Sequence, residues 1–213
     1  MKRSGPPYPP QRPLPVSLPS TRSAGPRRAF LAARLGVLLL LLLNIGRPSL
    51  IAQEDAAKAA SREHQIKAAY LYQFGRYVQW PAKAFSSAKA PFVIGVLKED
   101  PIAAELDQIA QVKKIENRPI EIRRFAPDGD LPACHILFLS ASLAPEVQMA
   151  LIAKATGKNT LLVGESDNFL DLGGGVRFVI EDNNVRLQIA RKAVLRNGLT
   201  ISSKLLQVAR VLD

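Results

Sequence analysis

Apolar residues along this chain recur with two different periods, and the alternation between the periods outlines a fold. In "HQIKAAYLYQFGRYVQWP" (64–81), Ile66, Ala69, Tyr70, Phe74, Tyr77 and Val78 share one helical stripe, and Pro81 stops the helix by forcing its predecessor out of αR. "PFVIGVL" (91–97) is a short, continuous apolar run of the kind that forms a buried strand. Asp100 and Pro101 supply an N-cap and a first-turn proline for a helix through "PIAAELDQIAQ". "RPIEIRRF" (118–125) alternates isoleucine with charge, as a strand with one wet face does, and "APDGD" is turn chemistry. "CHILFLS" (134–140) reads as a strand covered on both faces, and "APEVQMALIAKATGK" as a helix with Pro145 in its first turn and Gly157 at its end.

Downstream, "TLLVGES" is a further buried strand, and "GGGVRFVIEDNNVRLQIA" is a β-hairpin whose turn places Asn183 and Asn184 at positive φ. "GLTISSKLLQVARVL" closes the chain as a helix capped by Ser202 or Ser203, with Leu205, Leu206, Val208 and Ala209 on its apolar side. Strands alternating with helices in this order predict an α/β, three-layer sandwich: a mostly parallel central sheet, an edge β-hairpin and a C-terminal helix.

Composition changes the picture mainly at the start of the chain. Residues 1–26 hold eight of the sixteen prolines, which cannot build helices or sheet ladders, so this stretch reads as a disordered leader or an over-long start of the reading frame. In 27–52, Arg27, Arg28 and Arg34 precede an apolar run from Leu35 to Leu43, and small residues lead to Ala52. Nine apolar residues are too few to span a bilayer, which takes about 20, so 27–52 is expected to be a signal peptide, with a membrane anchor as the alternative. "RRAFL" resembles a twin-arginine signal, although the leucine-rich core suits the general secretory route better. Residues 53–63 are alanine-rich and charged, a flexible lead-in, and 64–213 form the folded domain.

The formal charge of +11 falls to +3 once the eight basic residues of 1–52 are set aside, so the basic balance is an export signature. No basic stripe interleaved with aromatics supports nucleic-acid binding. One cysteine cannot form a disulfide within the chain.

Little else carries chemistry. "TGKNT" (156–160) lacks the glycine spacing of a phosphate loop and leads into a strand, and "GGG" (173–175) also precedes a strand. The two histidines, His64 and His135, have no metal-ligand partners nearby in sequence, and the acids of "ESD" and "ED" fall on turns. Ser202, Ser203 and Lys204 are consecutive, so neither serine shares a helical face with the lysine. The remaining pair is Cys134 beside His135, either a nucleophile with its base or the opening of a core strand. Neighbours on a strand point to opposite faces, and cysteine is among the most buried residue types, so the second reading is favoured and no catalytic, cofactor or metal residue is assigned.

"IKAAYLYQFGRYVQWP", "PFVIGVL", "CHILFLSAS" and "LTISSKLLQVARVL" together resemble, in order and spacing, the YfiR family over roughly 64–212. The resemblance implies a compact α/β protein of the periplasm without catalysis. It further implies restraint of a membrane-bound diguanylate cyclase through the cyclase's periplasmic sensor part. An outer-membrane lipoprotein partner would sequester the protein and release the cyclase, raising cyclic di-GMP and favouring biofilm. The named member's paired cysteines have no counterpart here beyond Cys134, so a redox switch does not carry over. The alternative role is a small-ligand sensor or carrier, using the crevice at the carboxyl ends of the parallel strands near Ser140, Gly164 and Glu165.

Overall fold

A computed structural model describes residues 50–212; the proline-rich stretch 1–26 and the expected export signal as far as residue 49 lie outside the described residues. Helix α1 (Leu50–Tyr77) opens the described chain. Residues 53–62 of this helix are all exposed, so its first turns rest on alanine propensity alone. Farther along, the buried positions of the helix are Lys67, Ala68, Leu71, Phe74 and Gly75, followed by Val78 just past its end. The buried face is therefore turned from the expected stripe, with Ala69 exposed and Ile66, Tyr70 and Tyr77 only flanking the core. The helix also ends before Pro81: Val78–Gln79 (β1) pairs antiparallel with Thr200–Ile201 (β9), which takes these residues out of the helical ladder.

The remaining strands form one curled sheet. They are β2 (Phe92–Leu97), β3 (Lys114–Ile115), β4 (Arg118–Phe125), β5 (Ile136–Leu139), β6 (Leu161–Gly164), β7 (Val176–Glu181), β8 (Asn184–Ala190) and β10 (Arg210–Leu212). Their order is β10-β8-β7-β6-β5-β2-β4-β3. Neighbours from β4 through β7 are parallel, while β3 runs antiparallel to β4 and β8 antiparallel to β7. Helix α2 (Ile102–Val112) packs on one face with α1, and α3 (Pro145–Ala155) packs on the other. This is the α/β sandwich expected from the strand–helix alternation. Side chains of β2, β5 and β6 alternate between the two apolar clusters, which explains why these strands read as unbroken apolar runs.

Two local expectations are corrected. The hairpin turn places Asp182 and Asn183, not Asn183 and Asn184, at positive φ (50° and 59°), because the pair Glu181↔Asn184 already closes the ladder. The closing segment holds only a one-turn helix, α5 (Ser203–Leu206), capped by the Ser202 hydroxyl accepting from the Leu205 amide at 3.4 Å. The chain then becomes β10, which pairs parallel with β8 and takes the outer edge of the sheet from the hairpin. Before it, α4 (Arg191–Arg196) turns the chain away from β8. No helix among the described residues is long and apolar enough to cross a membrane.

Candidate functional site

The parallel strands leave a crevice where the chain changes direction. After β2 the connection passes through α2 to β4, and after β5 it passes through α3 to β6 on the other side of β2. Because α2 and α3 lie on opposite faces, the loops leaving β2 and β5 separate, and open α/β sheets form ligand crevices at such switch points. Here the opening has a volume of about 560 Å³. Leu97, Phe138 and Ile102 contribute apolar surface, and Ser140, Ser142 and Glu165 line its polar side.

Ser140 and Glu165 thus lie together in this crevice. Gly164 does not line it. A Cβ there, or on Gly174, would collide with the ring of the fully buried Phe169, so the two glycines make room for that ring. Ser140 and Ser142 share a hydrogen bond of 2.9 Å between their hydroxyls. Asp100 is occupied as a cap: its Oδ1 accepts from the Ile102 amide at 3.0 Å.

The residue that organises the crevice comes from α1. Lys67 is 5% exposed and forms ion pairs with Glu63, one turn earlier, and with Glu165. Glu165 uses its second oxygen to accept from the Ala141 amide at 3.2 Å, which ties α1 to the end of β5 through one carboxylate. Burial works against the Lys67 charge, but the hydrogen bonds and charges of Glu165 and Glu63 outweigh it and hold its pKa above the ordinary lysine value. Lys67 and Glu63 stand four residues apart, a visible helical pairing. The partner 98 residues away had no local signal.

Cys134 and His135 sit at the opposite, amino-terminal end of the sheet, beside a recess of about 300 Å³. Their side chains do go to opposite faces. Cys134 packs in the cluster under α3 with Leu137, and burial pushes its thiol up to about 12. A thiol held protonated in this way is a poor nucleophile. His135 is committed at both ring nitrogens: the Val93 amide donates to Nδ1 at 2.9 Å, and Nε2 lies 3.1 Å from the Ala84 carbonyl, to which it donates. The imidazole is therefore the neutral Nε2–H tautomer, and burial lowers its pKa below the usual histidine range.

That ring also belongs to a compact aromatic cluster. Phe85 lies 4.4 Å from it and Phe92 4.8 Å, the two phenyl rings are 6.5 Å from each other, and the Arg118 guanidinium caps Phe85 at 3.9 Å. Trp80 meets Phe92 edge-on at 4.9 Å and donates its indole N–H to the His135 carbonyl at 3.2 Å. Trp80 is only half-buried, so its truncation costs less than the loss of a fully buried indole. The cluster fastens the segment between β1 and β2, which carries Phe85, over the sheet. Among the described residues, no group of three histidine, cysteine or acidic side chains is placed to hold a metal ion.

Residues 64–210 match the family model described as YfiR/HmsC-like. No curated protein matches the chain.

Proposed function

We propose, for a chain that belongs to the YfiR/HmsC-like family, a role as a periplasmic regulator that acts by binding and not by catalysis. Its target in this reading is the periplasmic sensor part of a membrane-bound diguanylate cyclase, whose cyclic di-GMP synthesis it restrains. An outer-membrane lipoprotein that competes for the regulator would relieve that restraint. The family match over 64–210 carries the reading. Two features of the site support it: the buried, protonated Cys134 and the doubly hydrogen-bonded His135 are scaffold, not a nucleophile and its base.

Regulation by binding requires unequal affinity for two states of the target, so the protein would hold the sensor in its inactive conformation. The direct test is titration of the purified protein against periplasmic domains of membrane diguanylate cyclases from the same organism. Saturable binding to one of them is expected; absence of binding to all of them would contradict the reading.

The crevice favours a second reading, a small-ligand sensor or carrier. Its volume of about 560 Å³ falls within the range of ordinary ligand pockets, about 300–1,000 Å³. A thermal-shift screen with periplasmic metabolites tests it: stabilisation lost on Ser140→Leu substitution supports a ligand role, and no shift with any metabolite counts against it. The two roles are compatible if occupancy of the crevice changes affinity for the cyclase.

A further inference from the structure

Charge is distributed very unevenly along the folded chain. Residues 53–183 carry fifteen basic and seventeen acidic side chains. Residues 184–213 carry six basic side chains, Arg186, Arg191, Lys192, Arg196, Lys204 and Arg210, and a single acid, Asp213. All six are exposed, and none takes part in an ion pair among the described residues. The excess positive charge of the domain is therefore confined to the final segment.

Part of this charge lies on the sheet edge formed by β8 and β10, and part on α4, the helix that follows β8. In β8, Val185, Leu187 and Ile189 are buried in the core, which turns Arg186 to the opposite face. The register sets Arg210 beside Gln188, on the same face as Arg186, and Leu212 beside Ala190, the residue before α4. The apolar cluster on that face draws its strand residues from β2, β4, β5 and β6, so the α3 layer does not extend over β8 and β10. In α4, Ala193 and Val194 are buried, leaving Arg191, Lys192, Leu195 and Arg196 on the solvent side. Exposed aliphatic side chains accompany these charges: Leu195 (52% exposed) beside them on α4, Val208 (65%) in the turn before β10, and Leu212 (37%) on the same face of β10 as Arg210.

We infer that this surface docks on an anionic phospholipid membrane. Charge complementarity requires an anionic partner, and projecting aliphatic side chains between cations match a headgroup layer with hydrocarbon beneath it. A protein partner would be expected to find a recess for its side chains. The recess beside Arg191 and Leu195 holds only about 30 Å³, little more than the space a water molecule needs. Docking in this way would keep the protein beside the membrane, and the inference does not depend on the cyclase reading.

The test is co-sedimentation with vesicles of phosphatidylcholine, alone or mixed with phosphatidylglycerol, at low and high salt. Residues 1–52 carry basic residues of their own, so wild type and variants are compared in the same purified form. The variant R191Q/K192Q/R196Q changes three exposed side chains, and an unchanged melting temperature verifies that it folds. Each basic residue near an anionic surface is worth roughly fivefold, so the triple variant should bind mixed vesicles on the order of a hundredfold more weakly. A control, K89Q/K113Q/K114Q, removes the same charge from exposed sites elsewhere and should bind almost as the wild type does. Equal losses in both variants would overturn the inference, as would wild-type binding that ignores phosphatidylglycerol. Binding of the surface to an acidic polypeptide but not to mixed vesicles would also overturn it, and would assign the surface to an acidic protein partner.

Discussion

Burial keeps the Cys134 thiol protonated well beyond neutral pH, and this makes the reactivity of a single side chain a sharp observable. With its pKa pushed up to about 12, the thiolate fraction near pH 8 is about one in ten thousand. Iodoacetamide should therefore modify the folded protein barely at all and the denatured protein readily; labelling of the native protein at a free-thiol rate would contradict this packing. His135 makes a pH prediction of definite sign. Its folded pKa is depressed, so its contribution to stability is complete above the unfolded value of about 6.5 and is lost as pH falls from there through the lower folded value. His135→Asn should cost about 1–3 kcal/mol near neutral pH, and the difference from wild type should shrink progressively as pH falls below the unfolded histidine value. Denaturation curves at several pH values check this, and a pH-independent difference would contradict it. Lys67→Ala leaves Glu165 without its buried cation and should cost about 3–5 kcal/mol. The double variant K67M/E165Q should recover much of that loss in the same measurement. Because the Lys67 pKa is raised, its contribution is constant at neutral pH and disappears only as pH rises past the unfolded lysine value of about 10.4. The opposed faces of Cys134 and His135 were legible from strand geometry, whereas the Lys67–Glu165 pair depends on a tertiary approach that no local spacing encodes.

Elements with unbroken apolar runs or clear terminal signals, such as β2, α2 and α3, were legible because local and tertiary preferences agree there. Asp100 caps α2, Pro145 opens α3, and Gly157 follows α3 at φ 78°. The closing segment was misread because its leucines recur at helical spacing while a nonlocal partner decides its conformation. Pairing of Arg210–Leu212 with β8 pulls the end of the chain into the sheet, leaving one capped turn of the expected helix. The stripe of α1 was read one position away because tyrosines count as apolar in a pattern, and a lysine does not count as core until its two carboxylates are seen. The same helix makes a prediction at its own scale. Amides of residues 54–62, which have no buried side chain to hold them, should exchange with solvent much faster than those of residues 68–77. Equal protection along the whole helix, measured by hydrogen exchange, would mean that the first turns have a packing partner.

For the whole molecule, one topology supplies two unlike ends and one unlike edge. The carboxyl ends of the strands hold the crevice organised by Lys67, the amino ends carry the aromatic cluster around His135, and the edge at β8 and β10, with the helix α4 that follows β8, carries basic residues that have no ion pair among the described residues. Strand–helix alternation made the sandwich and the general position of Ser140 and Glu165 legible. The basic edge was hidden because summing charge over the chain mixes residues 184–212 with the balanced remainder. With Cys134 and His135 confined to scaffold, the proposed role falls to surfaces that recognise other molecules. Intracellular cyclic di-GMP in a strain lacking the protein tests this most directly. The level should rise on deletion and return to normal when either the wild type or the Cys134→Ser variant is restored. An unchanged level on deletion, or failure of a normally folded Cys134→Ser protein to restore it, would contradict the account.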